Sequence, residues 1–302
     1  MPLIGVLLSQ HAYDMPGKLL SSLATSIEAL GFESVWLLDS FSRDPFATAS
    51  FILANTKTLK VGTGVATVYS RDAMAAQQVR ETLSEYYPGR FLMGLGSSNE
   101  TIVSMRKGQW LPPVQKMSAY LKDMEEAELA HPKPTELAPL HIAAHAPGLQ
   151  NLAIQHAQGI FTWILPVESV GQARAHVGAG LEVTANFPVI LVEDPDEARR
   201  IARAFMMFYI RIPYYQAAYS KIGFGPADFE NGGSDRLIDA IVAWGSPEQI
   251  KARVDDYAAA GASRVVINPI RAAKDAPIGG ERDVDADWDS LGKLALLVRS
   301  TA

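Results

Sequence analysis

The sequence predicts a single α/β domain closed into a (β/α)8 barrel. Eight short apolar runs of strand length recur along the chain, and each is separated from the next by a longer segment with helical spacing. Strands alternating with helices require right-handed crossovers and a parallel sheet, and eight such units are enough to close it. The length of 302 residues suits one barrel. No repeat, low-complexity tract or Gly/Ser-rich linker marks a boundary, so the domain is expected to span 1–302.

The first strand is the compact run Leu3 to Leu8. After Pro16-Gly17, the residues Leu19, Leu23, Ile27 and Leu30 recur at helical spacing, and Gly31 closes that helix. Ser34 to Leu38 forms the second strand, followed by Leu59 to Val65, Phe91 to Leu95, Leu140 to Ala143, Ile160 to Ile164, Phe187 to Val192 and Arg264 to Asn268. Two later helix starts are legible in their caps. Asp194-Pro195-Asp196-Glu197 and Ser246-Pro247-Glu248-Gln249 each offer an N-cap side chain, Pro at N1 and an acid or amide at N3. The second carries Ile250, Val254, Tyr257 and Ala258 on one face, with Gly261 beyond its end. Two connections exceed what a bare barrel needs: Ser97 to Pro113, and an insertion at about 204–245 before the last βα unit.

Composition narrows the function. Hydrophobic residues make up 48% and charged residues 20%, and 27 Lys and Arg stand against 33 Asp and Glu for a net charge of −6. The charges are interspersed, so no basic stripe offers a footprint for nucleic acid. The chain has no cysteine, which excludes disulfides, thiolate zinc sites and Cys nucleophiles. The start has no basic or cleavable pattern, and no apolar run reaches the roughly 18 residues of a membrane span. A cytoplasmic protein is expected. No Gly-x-Ser-x-Gly elbow, Walker A loop or HExxH is present.

In such a barrel the chemistry sits at the C-terminal ends of the strands. Those ends hold Ser9 to His11, Asp39-Ser40, Thr63-Gly64-Val65-Ala66, Gly96 to Glu100 with Ser97 and Ser98, Ala144-His145-Ala146 and Trp163. Gly62 and Gly64 in one strand point either to a bulge beside a ligand or to a tight barrel corner. Gly94-Leu95-Gly96 is half of a dinucleotide fingerprint whose third glycine is missing. Asp39 is either a ligand contact or the N-cap of the next helix. Pro147-Gly148 opens a helix whose free N–H groups would suit a phosphate, or is an ordinary helix start. His141 and His145 lack a nearby third ligand, so no metal is expected. His11 and His145 are instead rim residues able to donate a hydrogen bond or a proton. Phe205, Phe208, Tyr209, Tyr214, Tyr215, Tyr219 and Phe224 crowd the insertion, as packing or as a substrate wall.

Three segments, in order and at matching spacing, carry a family resemblance. They are Ala29-Leu30-Gly31-Phe32-Glu33-Ser34-Val35-Trp36, then Val61-Gly62-Thr63-Gly64-Val65, then Pro88-Gly89-Arg90-Phe91-Leu92-Met93-Gly94-Leu95-Gly96. Together they resemble the bacterial luciferase-like family of flavin- or deazaflavin-dependent oxidoreductases. The stretch from Gly232 to Gly245, with Ala260-Gly261-Ala262, looks like the subgroup dependent on coenzyme F420.

The resemblance implies a tricyclic ring in the barrel mouth, with a non-prolyl cis peptide at Gly64-Val65 against one ring face. Asp39 and Ser40 would face the ring, Thr63, Gly64, Val65 and Ala66 would orient it, and Ser97 and Ser98 would lie near it. Ala144, His145, Ala146, Pro147 and Gly148 would meet the phosphate. The expected cofactor is coenzyme F420, with FMN as the alternative. Many deazaflavin-dependent relatives carry His directly after the strand-two acid, where this chain has Ser40.

The expected activity is hydride transfer between F420 and a small organic substrate, with His145 or Glu100 moving the proton. His11, Trp163, Met206, Tyr209, Pro213 and Tyr214 would contact that substrate. The rival activities are an FMN-dependent monooxygenase using dioxygen and a non-catalytic flavin-binding barrel. A homodimer is implied.

Overall fold

The computed structural model describes residues 1–8, 15–273 and 284–298. Its strands are β1 (Leu3–Leu8), β2 (Ser34–Leu37), β3 (Lys60–Thr63), β4 (Ala66–Thr67), β5 (Phe91–Gly96), β6 (Leu140–Ala143), β7 (Gly159–Trp163), β8 (Glu182–Ile190), β9 (Ala243–Trp244), β10 (Arg264–Ala272) and β11 (Val284–Ala286). Eight of them, β1, β2, β3, β5, β6, β7, β8 and β10, pair in parallel in that order, and β10 pairs back onto β1. The expected closed barrel is present. The other three strands are short attachments: β4 pairs with β5, β9 with β8, and β11 runs antiparallel to β10.

The apolar runs locate the strands well, with one clear difference. The seventh strand begins at Glu182 rather than Phe187. Glu182, Thr184 and Asn186 alternate along its first half, and this polar alternation breaks the apolar run that marks the others. Helix Pro195–Ile210 and helix Pro247–Ala259 start where their caps are read. Ser246 and Gln249 form the reciprocal capping box, whereas Glu197 turns away to pair with Arg200 and leaves Asp194 to cap alone.

One hydrophobic cluster packs the helices around the barrel, and a second belongs mainly to the insertion. The insertion consists of the second half of helix Pro195–Ile210, helix Pro213–Ser220, a 3-10 segment at Pro226–Gly232 and helix Asp235–Ile241. It is tied to the rim where the Tyr219 hydroxyl donates to the Ile164 carbonyl at 2.9 Å.

Inside the barrel lies a third cluster of Leu7, Trp36, Leu92, Phe161 and Val266. The Trp36 indole is fully buried, donates to Ser34 Oγ at 2.9 Å and packs 5.2 Å from the Phe161 ring. A Cβ on Gly62 would lie 2.6 Å from this ring, and one on Gly5 would lie 2.9 Å from its Nε1. Gly62 therefore answers neither expectation: it clears space for Trp36. Below the indole, Arg264 is 1% exposed and is paired with Glu33 at 3.2 Å and Glu182 at 2.7 Å, closing the N-terminal end of the barrel.

Gly62→Ala should destabilise the protein by about 1–3 kcal/mol through overpacking against a ring that has nowhere to move. Gly180→Ala, where an added Cβ meets nothing within 4 Å, is the control. Denaturant titration of both variants checks this, and equal midpoints would show that the indole can shift.

Candidate active site

The mouth is shaped by the break between β3 and β4. After Thr63 the chain passes through a cis peptide at Gly64-Val65 before resuming as β4 beside β5. Thr63 Oγ1 donates to the Gly94 carbonyl and accepts from the Gly94 N–H, both at 2.8 Å. A Cβ on Gly94 would sit 2.0 Å from the Thr63 carbonyl, and one on Gly96 would sit 2.5 Å from Val65 Cγ2. The pair resembling half a fingerprint therefore exists to let the bulge lie flat on β5.

Asp39 does not cap the following helix. Asp44 does, accepting from the N–H groups of Phe46 and Ala47. The Asp39 carboxylate instead accepts from the Thr67 N–H at 3.1 Å and the Ser70 hydroxyl at 2.7 Å, which fixes the turn after the bulge. Its other oxygen meets Arg106 Nη2 at 2.8 Å, and that nitrogen also donates to the Ser40 carbonyl at 2.6 Å. Arg106 was not among the expected site residues. It neutralises Asp39 from 67 residues away and brings the Ser97–Pro113 connection against the rim. The Ser40 hydroxyl oxygen is buried beside this pair without a hydrogen-bond partner.

His145 is held from two sides. Its Nε2 accepts from the Trp163 N–H at 3.0 Å, so the proton of the neutral ring resides on Nδ1. Nδ1 is shielded from solvent and has no partner. The ring stacks on Tyr214 at 5.3 Å and meets the edge of Tyr215 at 5.9 Å. Trp163 lies 6.2 Å from Tyr209, and Ile164 beyond it has a left-handed φ of 47°. The insertion thus roofs the β6 and β7 side of the mouth, bringing His145, Trp163, Tyr209 and Tyr214 together.

Two other expected residues lie away from the mouth. Met206 is fully buried in the insertion's own core, and Pro213 lines an outer groove with Gln216 and Phe229. His11 lies outside the described residues. Ser97 is buried, Ser98 takes a φ of 54°, and Glu100 is exposed in the first turn of helix Glu100–Met105. Helix Pro147–His156 begins at Ala146, which supplies no capping oxygen, and a Cβ on Gly148 would meet Val114 at 2.8 Å. His141 sits inside the barrel near Glu182, apart from His145 at the rim.

Two carboxamides escaped the sequence reading. Asn186 and Asn268 are each 1% exposed, and the Oδ1 of each is buried without a partner. A cavity of about 290 Å³ on the barrel flank, lined by Arg80, Glu81 and Leu121, reaches Leu140 at the start of β6, the end opposite the mouth.

The luciferase-like monooxygenase family matches residues 4–130 and 127–264. A 5,10-methylenetetrahydromethanopterin reductase of Methanolobus tindarius is 22% identical over 281 residues, covering 79% of this chain and 86% of the relative. The structure of the coenzyme F420 dependent tetrahydromethanopterin reductase from Methanopyrus kandleri superposes with a TM-score of 0.69 at 15% identity, covering 88% of this chain and 92% of that one. The oxygenating constituent of 3,6-diketocamphane monooxygenase from Pseudomonas putida, in complex with FMN, gives 0.67 at 13% identity, covering 99% and 96%.

Both inner histidines are held neutral. Burial lowers His145 to about 4, and burial with the neighbouring Arg264 cation lowers His141 to about 3. An unfolded histidine takes up its proton near pH 6.5, so acid favours the unfolded chain. Stability should be full above about pH 6.5 and fall steadily towards pH 4. His145→Gln should make this acid limb shallower. Denaturation midpoints at pH 7, 6 and 5 for both proteins check this, and parallel curves would refute a neutral, buried His145.

Proposed function

The chain belongs to the luciferase-like monooxygenase family and so to the oxidoreductases, and from that premise we propose that it transfers a hydride between coenzyme F420 held at the mouth and a small organic substrate. The observation that carries this reading is the roofed mouth. His145, Trp163, Tyr209 and Tyr214 form an aromatic wall over a rim where Asp39 and Arg106 are paired, an environment that excludes water from a hydride.

The residues fit a flat ring with an anionic tail. Beyond Gly64 the bulge presents only the small Val65 side chain, and the buried Ser40 hydroxyl lacks a partner among the described residues. Ser97 and Ser98 border the same rim. Helix Pro147–His156 opens without a side-chain cap, leaving its positive end for a phosphate beside Ala144 to Gly148. When bound, coenzyme F420 supplies the hydride. Asp39, neutralised by Arg106, holds the turn that supports the ring, while His145 Nδ1–H orients the substrate. Glu100, exposed at the rim, exchanges the accompanying proton with solvent. The likeness to the coenzyme F420 dependent reductase of Methanopyrus kandleri supports F420. A second reading, an FMN-dependent monooxygenase, is favoured by Ser40, which places no imidazole beside the ring.

We further propose a homodimer working in the cytoplasm, where reduced cofactor is regenerated. Leu19 and Phe51, exposed at 55% and 38% on neighbouring helices, support the pairing. Among the described residues no helix is long and apolar enough to cross a membrane.

Anaerobic reconstitution with each cofactor, followed by absorbance and mass spectrometry of what stays bound, tests the proposal. F420 should be retained and its oxidation state should follow added substrate. Retention of neither cofactor would overturn the reading. For the phosphate subsite, Gly148 is a poor target because its Cβ would strike Val114. Ala146→Asp separates the effects: the new carboxylate caps the helix and stabilises it by about 0.5–1 kcal/mol, yet repels a phosphate. Cofactor affinity should fall about tenfold as the melting temperature rises. Sedimentation at micromolar concentration should give about twice the 32.7 kDa chain mass, and a monomer would remove the dimer.

A further inference from the structure

The mouth contains acceptors that nothing among the described residues satisfies. The orientation of the Asn186 amide is fixed, because its Nδ2 donates to the Val266 carbonyl at 2.9 Å and a carbonyl accepts only from the NH2 side. Its Oδ1 is therefore turned away from that bond, buried and unpartnered. Asn268 lies two residues beyond Val266 on β10. Val266 faces the barrel interior with Trp36 and Phe161, so Asn268 faces inward as well, one layer nearer the mouth. On β7, Trp163 lies two residues beyond inward-facing Phe161, on the same face, and sits in register with Asn186. Trp163 also gives its backbone N–H to His145.

Asn186, Asn268, Trp163 and His145 thus form one inward-facing group at the top of the barrel. It offers two acceptors from β8 and β10 and one donor, Nδ1–H, from the β6 end. A buried acceptor without a partner costs about as much as a lost hydrogen bond, and native proteins keep such groups where a ligand completes them.

The charges of the mouth point the same way. Asp39 is cancelled by Arg106, and Arg271 further along β10 is paired with Asp289 at 3.2 Å. His145 is neutral. Among the described residues, a charged substrate group would meet at this wall only charges already engaged with one another, and would lose its hydration on entering.

We infer that the substrate is an uncharged, flat molecule carrying both a hydroxyl or N–H donor, received by Asn186 and Asn268, and a carbonyl-type acceptor, received by His145. This rests on the reading of the mouth as the cofactor and substrate site. The aromatic side chains Trp163, Tyr209 and Tyr214 cover its faces, while the three polar groups select its edge.

The probes are the three hydroxyacetophenone isomers, their methoxy counterparts and the corresponding hydroxybenzoates, with binding to the cofactor-loaded protein measured by calorimetry. At least one hydroxyacetophenone should bind about tenfold or more tightly than both its methyl ether, which has lost the donor, and its benzoate, which carries a charge. In Asn186→Leu and Asn268→Leu the preference for hydroxyl over methoxyl should disappear. Cofactor affinity should be unchanged in both, and in Asn268→Leu the melting temperature should be equal or higher, because an unsatisfied buried acceptor has been removed. A merely structural carboxamide would instead lower the melting temperature and leave the preference intact, which would overturn the inference. So would equal binding of hydroxyl and methoxyl probes to the wild-type protein, or tighter binding of the benzoates. If Asn186→Leu fails to fold through loss of its bond to Val266, Asn268→Leu alone decides. Failure of the wild-type protein to retain cofactor would strike the parent reading, and is scored separately in the same experiment.

Discussion

The indole of Trp36 is the constraint around which the barrel is arranged. It fills the waist of the cylinder, and the strands on either side of β2 accommodate it by carrying glycine, Gly5 on β1 and Gly62 on β3, where a side chain would collide with it. The Phe161 ring closes the gap across the barrel, and the Arg264 guanidinium lies 5.6 Å from the indole. A filled waist divides the interior into two chambers, one towards the mouth and one around Arg264. Whatever the protein binds within the barrel must sit above Trp36.

The two chambers differ in how their polar groups are treated. Below the indole, Arg264 meets Glu33 and Glu182, and Lys60 adds a contact to Glu33 at 3.1 Å, so the charges are spent on one another. Above it, the Ser40 hydroxyl, Asn186, Asn268 and His145 Nδ1 are held in fixed positions with atoms left over. A closed network specifies the fold, and an incomplete one awaits a molecule that completes it. Both are built on the same strands, often on the same strand: β8 contributes Glu182 to the first and Asn186 to the second.

Much of this was legible in the residues. Apolar runs mark the barrel strands, and the caps at Asp194 and Ser246 mark helix starts, because local physics decides both. What escaped was decided by distance in sequence. Arg106 carries no local signal for its pairing with Asp39. Asn186 is hidden in a strand whose inward polar positions blur its apolar pattern, and Asn268 ends a run that reads as ordinary core. Gly94 and Gly96 are visible as glycines, but their reason, the bulge around Val65, exists only once β3 and β5 are side by side. Within the insertion, composition shows that aromatic side chains are present but not which way each one turns. Tyr209 and Tyr214 face the mouth, while Met206 turns into the insertion's core.

The insertion has a hydrophobic cluster of its own, which meets the barrel chiefly through rim residues such as Ile164, Leu165 and Ile190. A roof that carries its own core can change sequence, length or contour without disturbing the cylinder beneath. Selection can therefore alter what enters the mouth while the scaffold stays constant. In descent from a common ancestor, relatives of this chain would diverge fastest in the roof and slowest around the indole.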